Sequence, residues 1–157
     1  VLNFDLGAEL LAQTLESRRD AESAMLDRCT VEIPGAVVTD PDTGVVTPGE
    51  SVVYPDPAWP DDHPWKAGPC KVQTYEAQES NPEVGGSTRT VQRYAVHFPV
   101  GSFAPQVGAV VHLHTAAIDP NLAGRDYRVV ALLHKTMATA YRLGVEEADA
   151  RRAGEPA

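Results

Sequence analysis

A mainly β fold is what this sequence predicts: a small antiparallel barrel or sandwich of about seven strands, one N-terminal helix and long loops. Three observations lead there. Thirteen prolines and twelve glycines interrupt the 157 residues, leaving room for short segments only. Between these breaks, apolar and polar residues alternate with period two, which half-buries a strand. Only the first stretch carries a helical period.

That stretch, "LNFDLGAELLAQTLESRRDAESAM", predicts a helix over about residues 5–24. Asp5 is placed to cap it, and Ala8, Leu11, Ala12 and Leu15 recur at helical spacing. Glu16, Arg18, Arg19, Asp20 and Glu22 give its later part a solvated face. The stripe is expected to pack on its own barrel or, equally, to dock on a neighbour, with Leu11 and Leu15 as the docking residues.

"LDRCTVEIPG" turns Cys29, Val31 and Ile33 to one face of a strand. "AVVTDPDTGVVTPGESVVY" reads as strand, turn and return, with Asp40-Pro41-Asp42-Thr43-Gly44 supplying the turn. Its acids lack the further ligands of a calcium loop. "PDPAWPDDHPWKAG" is stiffened by four prolines and carries Trp59 and Trp65. Those indoles either cover a barrel end or anchor a partner, because Trp is enriched at interface hot spots.

"GPCKVQTY" places Cys70, Val72 and Thr74 on one face; "RYAVHF" turns Tyr94, Val96 and Phe98 inward. Between them runs "YEAQESNPEVGGSTRT", far longer than the two to five residues of an ordinary hairpin link. "VGAVVHLHT" points Val111, Leu113 and Thr115 inward and His112 and His114 outward. "AIDPNLAGRD" is a polar connection with room for one helical turn. "YRVVALLH" is apolar enough for a central strand, and "ATAYRLGVEEA" sends Tyr141, Leu143 and Val145 inward. Residues 1–147 read as a single domain and 148–157 as a flexible tail.

The totals narrow the function. With 22 acidic against 13 basic residues the formal charge is −9, which disfavours gripping nucleic acid through its phosphates but suits a surface that DNA passes without adhering. No apolar run reaches the ~18 residues of a membrane span. Cys29 and Cys70 read as two inward, reduced thiols. His112 and His114 share a face, as a metal site could use, and Asp61, Asp62 and His63 could assist; the expectation is two polar strand residues, with no metal and no cofactor. No nucleophile elbow, phosphate loop, dinucleotide fingerprint or zinc-protease motif occurs, so no catalytic residue and no enzyme activity are expected.

At "LDRCTV", "GPCKVQTYEAQES", "RYAVHFPVG" and "LAGRDYRVVALLHKTMATAYRLGVEE" the chain resembles a family of actinobacteriophage and prophage head–tail connector proteins, themselves similar to the head-closure, or stopper, proteins of long-tailed phages. The resemblance covers most of residues 25–147. The segment 55–67 is longer than is usual there. What it implies is a β-barrel that assembles as a homo-oligomeric ring, hexamer before dodecamer, in the virion neck. The ring would sit between the adaptor and portal rings above and the tail terminator or tail tube below. It would be assembled in the host cytoplasm, with double-stranded DNA passing through its channel unread. In that setting Glu76, Glu79 and Glu83, with Gly85 and Gly86 as bending points, would form a channel or inter-ring loop. Two other functions remain open: a tail terminator or other neck protein, and a soluble ligand-binding barrel.

Overall fold

The computed structural model describes residues 5–35, 38–47, 49–74, 83–84, 87–88 and 93–148. One helix, α1 (Leu6–Ser23), precedes β1 (Asp27–Pro34), β2 (Val38–Thr39), β3 (Val46–Thr47), β4 (Glu50–Tyr54), β5 (Pro69–Thr74), β6 (Glu83–Val84), β7 (Ser87–Thr88), β8 (Arg93–Phe98), β9 (Val110–Thr115), β10 (Asp126–Leu132) and β11 (Tyr141–Glu147). A 3₁₀ turn at Pro120–Leu122 fills the polar connection before β10, with Asp119 capping it.

Six strands close a barrel in the order β1-β5-β8-β11-β10-β9, and β9 returns to β1. All of these pairings are antiparallel. β4 is the seventh strand of the sheet and lies outside the closed circuit, paired to β1.

β1 therefore has a divided edge. β9 covers one side from Arg28 to Glu32. On the other side Asp27 and Arg28 pair with β5, and Val31 to Pro34 pair with β4. The chain leaves β1 after Tyr54 and rejoins it near Gly68, whose carbonyl accepts the Cys29 N–H at 2.9 Å. The Pro/Trp segment is thus inserted between two strands that share one edge.

The alternation places the inward faces as expected. Cys29, Val31, Val96, Phe98, Val111, Leu113, Leu143 and Val145 are all at most 1 % exposed, each burial worth roughly 1.5–3 kcal/mol for a large side chain. Thr115 departs from the pattern: it is exposed at the end of β9, where the barrel wall stops. Tyr54 fills the space between the β4 edge and the interior. Its ring meets Phe98 and Phe103 with centroids 5.2 Å away in both cases, and its hydroxyl donates to the Pro69 carbonyl at 2.6 Å. Tyr127 packs edge-on against Tyr94. Its hydroxyl is buried with no hydrogen-bond partner among the described residues.

Candidate functional site

Because the barrel interior is occupied by side chains, the informative surfaces are those that leave it. α1 is well formed at its start: the Asp5 carboxylate accepts from the Gly7 and Ala8 amides at 3.1 and 3.2 Å, satisfying donors that a helix start leaves free. Its anchors lie in the second half. Arg18 Nε donates to the Ala138 carbonyl at 2.9 Å, and Glu22 Oε2 accepts from Trp65 Nε1 at 3.3 Å. Thr14 and Met25 are the buried members of this end. The expectation that Ala8, Leu11, Ala12 and Leu15 pack on their own barrel is not met. All four are exposed, Leu11 at 59 % and Leu15 at 45 %, and Leu6 and Leu10 beside them are exposed at 64 % and 46 %. Every helical residue from Leu6 to Gln13 is exposed, and burial begins at Thr14.

A second arm continues β1 and β4 away from the barrel. β2 pairs with β3 in the antiparallel sense that β1 and β4 set, and the link is the predicted Asp40 turn. Asp40 Oδ1 accepts from the Asp42 and Thr43 amides at 2.8 and 3.3 Å. Those bonds, the Asp42 amide first, hold its carboxyl below the usual range. The carboxylate is spent on the turn itself. Val45 and Val46 at the tip are exposed at 57 % and 60 %.

The Pro/Trp segment folds back on its own molecule. Trp59 stacks on His63 at 4.2 Å between centroids and meets Tyr54 and Trp65 edge-on at 6.2 and 5.9 Å. Lys66 Nζ ties the segment internally, donating to the Pro57 and Trp59 carbonyls at 3.1 and 2.8 Å. Trp59 and Trp65 are half-buried against the core.

His112 and His114 face outward, as expected, but they have partners. His112 Nδ1 lies 2.6 Å from Asp126 Oδ1 on β10, and Nε2 lies 3.2 Å from Glu32 Oε2 on β1. Burial alone would lower its pKa. The bond to Asp126 and the charges of Asp126 and Glu32 outweigh it, and the net shift is upward. His114 Nε2 pairs with Thr30 Oγ1 at 2.6 Å. Asp61 and Asp62 are exposed and His63 is taken up by Trp59; among the described residues no group of three or more His, Cys, Asp or Glu could hold a metal ion. Cys29 and Cys70 are free thiols at most 1 % exposed. Burial, then the neighbouring Cys70 sulfur, pushes the Cys29 thiol well up, away from the thiolate that reacts.

The outer face of β5, β8 and β11 holds a feature that the sequence reading missed. Register aligns Lys71, His97 and Arg142 in one row across the three strands. The next row is Gln73, Ala95 and Gly144, extended by Ala131 on β10. A row of small side chains lies beside a basic one. Burial, then Arg142 and Lys71, lowers the His97 pKa to about 4, so this ring stays neutral beside two cations. At the barrel end where β5 finishes and β8 starts, a pocket of about 270 Å³ is lined by Val72, Gln73, Thr74, Tyr94, Asp119, Asn121, Leu122 and Arg125. Arg125 is already bonded to the Asn121 carbonyl and to Glu147.

The acidic loop falls mostly outside the described residues, including Glu76, Glu79, Gly85 and Gly86; for Glu83 only the backbone pairing of β6 with β7 is described. No described helix is long and apolar enough to cross a membrane.

These features define a small closed β-barrel protein with a helical arm, a ribbon arm and a filled interior. The chain belongs to the family of unknown function DUF6093, whose family model matches residues 17–146. Comparison with curated proteins and with solved structures finds no match.

Proposed function

We propose that this protein is a structural assembly subunit, the barrel of a ring in the neck of a long-tailed phage particle. In this reading it stands between the portal–adaptor complex and the tail, closes the DNA channel after packaging and presents the docking surface for the tail. One observation carries the assembly part: a capped helix anchored at its C-terminal half exposes Leu6, Leu10, Leu11 and Leu15. Solvent-exposed apolar patches of this kind mark interaction sites, and short helical segments are marginal alone in water. The resemblance of the strand and turn segments supports the phage setting, and the −9 charge suits a channel that DNA traverses without binding. A ligand-binding barrel is less well supported, because Tyr54, Phe98 and Tyr127 occupy the interior where a ligand would sit.

The test is twofold. Native mass spectrometry of the full chain should give a closed oligomer, and imaging of virions that encode it should place one ring of this chain at the head–tail junction. A chain that stays monomeric at high concentration and is absent from particles would overturn the proposal. A ring found at the far end of the tail tube would replace the stopper role with that of a terminator.

A further inference from the structure

The exposed α1 stripe has a complement in charge on the same chain. Ala8, Leu11, Ala12 and Leu15 form an exposed strip, and Glu9 and Glu16 run beside it, three residues before and four after Ala12. The first two thirds of the helix, residues 6–17, have Glu9 and Glu16 as their charges and no basic residue.

The outer face of β5, β8 and β11 offers the reverse pattern. Its outward charges on these three strands are Lys71, Arg93 and Arg142 against the acid Glu146, which pairs with Arg93 at 3.7 Å; β10 beside them adds the exposed Arg128 and Asp126, the latter held by His112. Arg93, Arg128, Arg142 and Gln73 are exposed, Lys71, Gly144 and Ala131 are half-buried, and Ala95 at the centre is 5 % exposed. Between the charged rows the floor is Ala95, Gly144 and Ala131. It is closely packed: a Cβ on Gly144 would come 3.1 Å from that of Ala131.

The spacings agree. Lys71 and Arg142 stand two strands apart, about 10 Å at the usual strand separation. Glu9 and Glu16 are seven residues apart, about 10.5 Å along a helix. A helix laid across the strands can set its two glutamates on the basic row while its alanines and leucines rest on the small row.

We propose that α1 of one copy docks across the β5–β8–β11 face of the next copy, with Glu9 and Glu16 over Lys71 and Arg142. Helix and face are different surfaces, so the contact is head to tail, and repetition generates a ring when the rotation closes. This inference rests on the self-assembly in the function proposed above, not on the phage setting.

Charge exchange tests it with the full-length chain, by native mass spectrometry and light scattering. Glu9→Lys with Glu16→Lys reverses the helix; Lys71→Glu with Arg142→Glu reverses the face. These side chains are solvent-accessible, and circular dichroism checks that each variant folds. Each reversed variant alone should lose assembly by at least tenfold in midpoint concentration. An equimolar mixture of the two, and the quadruple variant, should regain it. If wild type assembles and the reversed variants assemble equally well, this interface is wrong while self-assembly stands. If wild type never assembles, the self-assembly reading and this interface fail together. Acylation of Lys71 identifies another occupant: protection that survives helix reversal but is lost when residues 77–87 are replaced by a short Gly-Ser turn would assign the face to the chain's own acidic loop and overturn the proposal.

Discussion

Replacing Gly68 by alanine should damage this barrel far more than the same change at Gly44, although both glycines have positive φ, +72° and +67°. A non-glycine residue in that region costs roughly 1–2 kcal/mol, partly offset by about 0.4–1 kcal/mol gained from the stiffer unfolded chain. At Gly44 a Cβ meets nothing within 4 Å, so the net loss should be about 1 kcal/mol or less. At Gly68 a Cβ would overlap the Cys29 carbonyl oxygen. Relief requires moving Gly68 away from β1, which stretches the 2.9 Å bond from the Cys29 amide to the Gly68 carbonyl. A buried donor left without its acceptor costs about 1–3 kcal/mol, and the barrel seam must open slightly around it. Gly68→Ala should therefore lose about 2–4 kcal/mol more than Gly44→Ala. Urea unfolding followed by fluorescence of Trp59 and Trp65 measures the difference. The two indoles pack at this end of the barrel, so the signal reports the seam directly. Equal losses at the two positions would refute the close approach of Gly68 to β1.

Two further outcomes follow from buried or paired polar groups. Tyr127→Phe should leave stability unchanged or raise it by up to about 1 kcal/mol, because the lost hydroxyl has no described partner; a loss above 1 kcal/mol in urea unfolding would reveal a partner for it. Two of the outward histidines, His97 and His112, should bound stability in pH from opposite sides. His97 titrates near 6.5 unfolded and near 4 folded, so the unfolded chain takes up the proton first and stability falls as pH drops from about 6.5 towards 4. The full value would be about 3 kcal/mol; with a partly exposed ring, screening should leave about 1–2 kcal/mol, and His97→Gln should flatten that acid limb. His112 shifts upward, so its contribution is complete below pH 6.5 and is lost as pH rises through its folded pKa. His112→Gln should flatten the alkaline limb and leave the acid limb in place. Unfolding curves recorded from pH 4 to 9 test both, and equal effects of the two variants on one limb would contradict the assignment.

Much of the architecture was legible because it depends on neighbours in sequence. Period-two alternation fixes which face a residue takes, so the inward sets of β1, β8 and β11 could be named from the chain alone. The Asp5 cap and the Asp40 turn were legible for the same reason, since a short polar side chain bonds to amides two or three residues on. Alternation does not say which strands lie side by side. Lys71, His97 and Arg142 become one row only through two registers, and the Glu32–His112–Asp126 contact needs three strands in order. The α1 stripe was read correctly as apolar, but where it packs depends on where the helix is anchored. Arg18 and Glu22 hold it by its far end, a fact that no periodicity encodes.

The divided edge of β1 also sets how the molecule bears load. Three residues separate α1 from β1, so a force on the helix that breaks the Arg18 and Glu22 contacts passes next to β1. The bonds to β9 on one side, and to β5 and β4 on the other, lie across the axis of that strand. They are loaded in shear and must fail together, whereas a strand peeled from one end loses them singly. A pull strong enough to extract β1 would open the closed circuit, release β4 and the ribbon arm, and free the Pro/Trp segment from its root. The barrel is thus clamped most firmly along the one strand through which tension on the helical arm would enter.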